Sequence, residues 1–541
     1  MDKSLIGFVE SGRVPKVVSH YLQDDKLKSI YGLYPNAEEL DVHSVNVLES
    51  FSKENRLILA KQLKKQYSGL SIGYHTQKQL EELEKDNTVC ITTGHQLSLM
   101  LGPVYVIYKI ISTIKLTSIL NEHSNSIHYV PIFWMATEDH DFEEISFFEF
   151  EGIRFKWERP SKGFVGEMDL SGLDYVLNLY KNRLGKNQNA QYIKKLVEIS
   201  YRQNTNIADA TRAIVHELFA QYGLLILDPN SKTLKEQFIA YFKDELINNA
   251  CHQGVKKTIR RLKLASESNF KPQVNPREIN LFYKNNQGRF RIVNQNGHFQ
   301  LVGNPRRWSE NELIEELEKS PHNFSPNVLT RGLYQQVILP NVAYIGGSAE
   351  LAYWLELIDY FEDQRVVYPK LIMRNSAVLV SHKQSMQLKK LSLSDHDLFM
   401  DQNALINKHI RSISNIDLSL DKFKILLRDQ FRYLKKLTKK TDGSFLGAVA
   451  AQEKKQFNGI DKLEKRLLKA QKRKLQTEIE RLSRVHEELF PGQTLQERKV
   501  NFSHFYKLYG NELFERLFQE FDPLGKHWNM IRFPNSYSNK K

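Results

Sequence analysis

The stretch TVCITTGHQLSLMLGPVYVIYKIISTIKLTSIL, residues 88–120, followed closely by HYVPIFWMATEDHDFEE, constrains the fold more than any other part of the chain. It opens with a short apolar run and continues through a loop, Thr92-Thr93-Gly94-His95-Gln96. A helix of about 17 residues follows, then a second apolar run from Tyr129 to Met135 that stops abruptly in acids. Strand, helix, strand in that order requires parallel strands and a right-handed crossover. The same syntax returns in VILPNVAYIGGSAELAYWLELIDYFEDQRVVYPKL. There it predicts a strand near Val342 to Ile345, a Gly-Gly-Ser loop, a helix from Ala349 and a strand at Arg365 to Tyr368. Between the two copies GLLILDPN adds an apolar run, Leu224 to Leu227, ended by Asp228-Pro229. The fold class is therefore α/β, with a doubly wound parallel sheet.

At 541 residues the chain has room for three or four units of roughly 150 residues, or for one larger domain with insertions. Residues 279–302 read as a small antiparallel meander of three short runs with Asn/Gly turns. Ser309 and Glu312 form a capping box for the helix NELIEELEKS. These segments are expected to be insertions, about 150–220 and 232–320, in a core domain spanning 1–415. From 416 the pattern becomes helical. Leu420, Phe423, Leu427, Leu434 and Leu437 recur at helical steps, and after a break at TDGS, Leu468, Leu475, Leu482 and Leu489 recur every seven residues. Residues 416–491 thus read as an antiparallel coiled-coil hairpin, a common dimerisation device, stopped by Pro491-Gly492. Residues 492–541 return to globular pattern and are expected to dock back on the core.

Composition bounds the function. Hydrophobic residues are 41% and aromatics 11% of the chain, enough for a real core. The formal charge of +14 raises a nucleic-acid reading. However, residues 421–490 hold 19 Lys/Arg against 10 Asp/Glu, and lysine-rich outer faces keep a helical hairpin in solution. Nucleic acid is therefore not the expected partner. There is no long apolar run and no basic-then-apolar leader in MDKSLIGFVESGR, so no membrane and a cytoplasmic location are expected. Cys90 and Cys251 lie far apart without metal-ligand spacing, which argues against a disulfide framework or a zinc site.

Ligands of a doubly wound sheet sit outside the carboxyl ends of its strands. There Gly94 permits close backbone approach, while Thr93, His95 and Gln96 can donate hydrogen bonds to phosphate or carboxylate oxygens. The loop runs on to Gly102-Pro103, and proline suits a helix's first turn. Ile107, Ile110, Ile111 and Ile114 make an apolar stripe on the following helix, leaving Tyr105, Tyr108, Lys109 and Ser112 on another face. Tyr105 and Lys109 then point together from the first turns. After the second strand come Glu138, Asp139, His140, Asp141, Glu143 and Glu144, which can bind an amine or sugar hydroxyls, or act as a base. No spacing among them picks out a metal. At the second junction Gly346 and Gly347 expose backbone, Ser348 can cap, and Glu350 can reach ribose hydroxyls. Neither GxGxxG nor GxxxxGK[ST] is present, so the standard dinucleotide and P-loop routes are excluded.

Together TGHQLSLMLGPVYVIYK, VPIFWMATEDHDFEEI, SPNVLTRGLYQQVILPNVAYIGGSAELAYW, YPKL and LFPGQTLQER resemble the BshC family, the cysteine-adding enzymes of bacillithiol biosynthesis, over essentially the whole chain. The resemblance implies a Rossmann-like core with connective insertions, a coiled-coil domain that makes a homodimer, and kinship with class I nucleotidyltransferases and aminoacyl-tRNA synthetases. It also implies that L-cysteine is joined through its carboxyl to the amine of glucosaminyl-malate. Activation of that carboxyl implies ATP, with Mg2+ as a companion. On this expectation Thr93, Gly94, His95, Gln96 and Lys109 hold the activated carboxyl, and Asp139 and His140 orient or deprotonate the amine. Gly346, Gly347 and Glu350 line the nucleotide or sugar side, with Gly102, Tyr105, Glu138, Asn327, Arg331, Tyr344 and Lys370 as further binding candidates and Arg331 placed for the malyl carboxylates. The class I signatures HxGH and KMSKS are absent as spelled. The alternative is a nucleic-acid-binding protein, or an inactive relative of the synthetases, working through the basic coiled coil.

Overall fold

The computed structural model describes residues 5–23, 27–265, 270–441 and 443–534, so Asp442 of the expected break lies outside the described residues. These residues form two units, 5–378 with 497–531 and 379–496 with 532–534. The sequence places the boundary at 415. It falls at 378 instead, because helices beyond the strand Ser376–Val380 pack within the second unit: the His486 ring Nε2 lies 3.2 Å from the Leu398 carbonyl there.

The first unit is built on five parallel strands: β1 (Thr88–His95), β2 (His128–Met135), β3 (Leu225–Leu227), β4 (Asn341–Gly346) and β5 (Lys370–Met373). Their order across the sheet is β5-β4-β1-β2-β3. This is the doubly wound arrangement, with its reversal of direction between β1 and β4. Helix α1 (Tyr105–His123) makes the crossover from β1 to β2, and every residue from Val106 to Ile114 is buried. A parallel sheet needs cover on both faces, so its helices lose their polar side. Each of Ile107, Ile110 and Ile111 removed from water contributes about 1.5–3 kcal/mol.

Three sequence expectations shift. Thr92 to His95 belong to β1 rather than to a loop, because pairing with β2 continues to His95 opposite Met135. Pro103 lies before α1, not in its first turn; Leu99–Leu101 forms a short turn in which Met100 and Leu101 take left-handed φ of 50° and 62°. The strand expected at Arg365 to Tyr368 is β5, five residues later. Arg365 sits at φ 54°, and the Tyr368 hydroxyl donates to the Trp354 carbonyl at 2.6 Å, so the chain enters the sheet only after Pro369.

Insertions fill the links after β2 and β3. The second carries a five-stranded antiparallel sheet in which Leu281–Asn285, Gly288–Gln295 and His298–Leu301, the three expected runs, are flanked by Arg307–Trp308 and Phe324–Pro326. Both arms of the Ser309/Glu312 capping box form. The tail returns to the first unit: His527 to Asn529 pair with Leu5 to Gly7, and Asn529 Nδ2 donates to the Ser376 carbonyl at 3.2 Å. No helix among the described residues is long and apolar enough to cross a membrane.

In the second unit Asp421–Thr438 and Gly443–Lys474 run antiparallel, with Lys424 bonded to Asp461 and Glu464, each at 2.8 Å, and Lys435 paired with Glu453. Phe431 is buried, and Leu427 and Leu434 are half-buried. Phe423, expected in that seam, instead points outward at 62% exposure, as Leu437 does at 37%.

Within the first unit, helix Ala250–Ala265 crosses Ile358–Asp363 through Gly254, where a Cβ would lie 2.5 Å from Tyr360 Cα. Gly254→Ala is expected to cost about 1–3 kcal/mol by overpacking, read as a lower melting temperature. An unchanged melting curve contradicts this close crossing.

Candidate active site

A cavity of about 650 Å³ opens at the carboxyl ends of β1, β2 and β4, lined wholly by residues of the first unit. It lies at the reversal point of the sheet, where adjacent crossovers diverge and leave a crevice.

The crevice is bridged by one ion pair. Lys109, on α1 and 1% exposed, donates to the Gly94 carbonyl at 2.5 Å and lies 2.7 Å from Glu350 Oε2. Glu350 stands on the short helix Ser348–Trp354 after β4, and also accepts from the Tyr344 hydroxyl and the Gly347 amide at 2.7 and 2.8 Å. Burial raises the Glu350 pKa, but the Lys109 charge and these donors outweigh it and hold the carboxyl at about 2. Lys109 does not line the cavity; it ties the two junctions together behind the cavity wall.

His95 does line it, as a neutral ring. Burial first, then the Lys109 and Arg374 charges, lowers its pKa to about 3, against the opposing pull of Glu350. Its edge meets Tyr105 with ring centroids 5.3 Å apart. Gln96 donates to Asp139 at 2.7 Å and to Glu144 at 2.6 Å. Asp139 also accepts from the backbone N–H of His140 at 2.7 Å. Burial raises its pKa, but the hydrogen bonds from Gln96 and the His140 amide, with the Arg289 charge, carry it below the ordinary carboxylate range. Arg289 Nη1 lies 2.9 Å from His140 Nδ1. A guanidinium can only donate, so that nitrogen accepts, and the imidazole proton is assigned to Nε2. Arg289 is fixed in turn by Ser325 Oγ at 2.9 Å, the Pro326 carbonyl at 2.8 Å and the Phe282 face at 4.0 Å.

The remaining candidates divide. Gly94, Glu138, Asn327, Arg331, Tyr344 and Gly347 all line the cavity. Glu138 is neutralised by Lys235, a buried cation that also donates to the Phe324 carbonyl at 2.6 Å. Asn327 accepts from the Leu329 and Thr330 amides, and Arg331 reaches the Tyr353 hydroxyl at 3.1 Å. Thr93, Gly102, Gly346 and Lys370 are not in the wall. Thr93 donates to the Ile345 carbonyl at 2.8 Å, stitching β1 to β4. Gly102, at φ 63°, would bring a Cβ within 2.9 Å of Ser98 Cβ, and a Cβ on Gly346 would meet Leu351 at 2.9 Å, so packing explains both glycines. Lys370 opens β5, away from the carboxyl end.

Six arginines line the cavity, 277, 289, 291, 331, 374 and 498, of which Arg331 alone is among the expected site residues. Arg374 directly follows β5, whereas the expected Lys370 lies at the opening end of that strand. Arg498 ends LFPGQTLQER, a stretch noted only for its resemblance.

Family models decide the lineage. The bacillithiol biosynthesis BshC N-terminal Rossmann-like domain matches residues 1–375, and the BshC C-terminal coiled-coil domain matches 377–533. The chain belongs to the BshC family. Proteins named "Putative cysteine ligase BshC" from Christiangramia forsetii and Flavobacterium johnsoniae are each 43% identical, covering 98% of this chain and 99% and 100% of theirs. One from Cytophaga hutchinsonii is 31% identical over 96% of each chain. A solved "putative arginyl t-RNA synthetase" chain from Campylobacter jejuni aligns at 11% identity, covering 83% of this chain and all of its own. Its TM-score of 0.21 carries no argument. The family's Rossmann-like domain holds every cavity residue except Arg498.

The far wall of the cavity is a coil that includes Val274, Asn275, Arg277 and Asn280. Glu356 accepts from the Gln273 and Val274 amides at 2.6 and 3.3 Å, and Glu245 from Asn280 N and Nδ2 at 2.7 and 3.0 Å. Burial pushes both carboxyls up to about 7. Unfolded they ionise near 4.5, so between these values the folded chain holds protons that the unfolded chain has released. Their contribution to stability is full below 4.5 and is lost as pH rises through 7. Glu356→Gln is therefore expected to reduce the fall in melting temperature between about pH 5 and pH 7. Equal falls in variant and parent contradict this.

Proposed function

We propose that this chain forms the amide between the carboxyl group of L-cysteine and the amine of glucosaminyl-malate, the ligation expected in bacillithiol biosynthesis. The observation that carries the reading is a BshC-family chain whose cavity fixes the Asp139 carboxylate, held by Gln96 and the His140 amide, in a wall that six arginines line. Both substrates are mixed ions: cysteine carries an ammonium and a carboxylate, and glucosaminyl-malate an amine and two carboxylates.

Asp139 suits an ammonium group. Its lowered pKa makes it a weak proton acceptor, so it binds and orients the amine rather than deprotonating it. His140 has its Nδ1 lone pair engaged by Arg289, which leaves Nε2–H as a donor toward substrate oxygens. Arg331, held by Tyr353 and Gln335, offers a fixed cation for a malyl carboxylate. His95, uncharged, can take or give a hydrogen bond without adding charge.

ATP is the proposed activator, and when bound it would supply the driving force for activating the carboxyl. The residues fit its phosphates. Six arginines face three carboxylates in the lining, a net positive wall suited to anionic phosphates. Among the described residues no group of three His, Cys, Asp or Glu side chains is placed to hold a metal. Mg2+ carried on nucleotide phosphates needs no such set.

The second unit is proposed to pair with a second copy. Phe423, Leu426 and Tyr433, at 62%, 61% and 65% exposure, form a stripe along the outer face of the hairpin. Phe423→Glu with Tyr433→Glu is expected to halve the solution mass read by light scattering, while an unchanged mass excludes this face.

Purified protein with L-cysteine, glucosaminyl-malate, ATP and Mg2+ is expected to yield bacillithiol by mass spectrometry. Asp139→Asn should lower kcat/KM roughly 10- to 100-fold, the range for losing a charged hydrogen bond. Folded protein that makes no product under these conditions, or an Asp139→Asn variant as active as the parent, contradicts the reading.

A further inference from the structure

Arg374 is the most thoroughly anchored cation of the cavity, yet one of its donors is spare. The side chain is 3% exposed. Nη1 donates to the Asn375 carbonyl at 2.9 Å, Ser376 Oγ at 2.8 Å and Glu497 Oε2 at 3.1 Å, and Nη2 donates to Glu497 Oε1 at 2.5 Å. Its backbone N–H donates to the Gly346 carbonyl at 2.9 Å. Nε is buried and without a partner among the described residues. Leaving such a donor unmade costs about 1–3 kcal/mol, so a natural acceptor is expected to meet it.

Geometry limits where that acceptor sits. The grip of Glu497 on both terminal nitrogens sets the guanidinium plane, and Arg374 lines the cavity. A Cβ built on Gly347 would lie 3.4 Å from Glu350 Oε2 and 3.5 Å from Nε, so the absence of a side chain at 347 leaves space beside this N–H, bordered by the Lys109-paired Glu350 carboxylate. The guanidinium carbon lies 5.1 Å from the Tyr105 ring, and Arg498, the next residue after Glu497, contributes a second cation to the same lining. Glu497 balances Arg374 and Glu350 balances Lys109, so Arg498 leaves this corner with surplus positive charge.

We propose that the corner between Arg374 Nε, Gly347 and Arg498 is an oxyanion subsite, with Arg374 Nε–H as its fixed donor. The occupant is a phosphoryl or carboxylate oxygen of the reacting substrates. The proposal rests on the ligase reading only for the source of that anion. LFPGQTLQER thereby gains a role: its Glu497 aims Arg374 and its Arg498 adds charge.

Crystals of the full chain soaked with arsenate, located by anomalous scattering, test the corner whatever the chain ligates. A parallel soak with L-cysteine asks whether the amino-acid carboxylate is the source. Arsenate or the cysteine carboxylate is expected within hydrogen-bond distance of Arg374 Nε. Because removing Arg374 would strand buried Glu497 and endanger folding, the solution test uses Gly347→Ala. Its methyl group fits by ordinary contact but screens Nε–H. Calorimetric arsenate affinity should fall about tenfold, about 1.4 kcal/mol, with an unchanged melting temperature. Neither anion in the corner, or parental affinity in a folded Gly347→Ala protein, overturns the proposal.

Discussion

The site depends on one ion pair across the reversal point of the sheet. In a doubly wound fold the crossovers after β1 and β4 leave in opposite directions, and nothing in the sheet itself fixes the distance between the loops that follow. Lys109 closes that gap. It reaches from α1 to the Gly94 carbonyl of its own junction and to Glu350 of the other. Glu350 in turn secures the Gly347 amide and the Tyr344 hydroxyl. A buried pair of this kind adds little net stability, because desolvation offsets attraction. Breaking it is costly, and that asymmetry makes it a device for holding geometry.

The rest of the cavity follows the same economy of charge. Glu138 is cancelled by Lys235, Arg289 is consumed by backbone, serine and histidine contacts, and Arg374 is matched by Glu497. Few of the charges in the wall are free. Asp139 keeps an oriented carboxylate beside Arg289, Arg331 a braced cation, and Arg374 an unused Nε–H. An enzyme joining two mixed-ion substrates benefits from fixed groups of opposite sign that need no reorganisation when charge develops.

Much of this was legible in the sequence, and the losses have physical causes. Parallel strands, the crossover helix and the two glycine junctions were readable because apolar runs, loops and helical periodicity each leave a local pattern. Long blocks in the right order pointed to the family now shown by its domain models. Roles within the site were harder. Lys109 and Thr93 carry the chemistry of ligand binders, but tertiary contacts spend them on Glu350 and on Ile345. Arg374 was not legible because the left-handed turn at Arg365 delays β5, and strand phase cannot be read from VVYPKLIM alone. Arg498 and Lys235 reach the site from segments remote in sequence, which no local pattern can reveal.

A double-mutant cycle on the bridging pair tests the account most directly. Lys109→Met and Glu350→Gln are each compared with the double variant by denaturant unfolding. The structure predicts that Lys109→Met alone costs about 3–5 kcal/mol, since it strands Glu350, and that the double variant is more stable than the sum of the single losses implies by at least about 2 kcal/mol. Losses that add to within about 0.5 kcal/mol would mean that the pair does not join the two junctions, and the account of the cavity would fail.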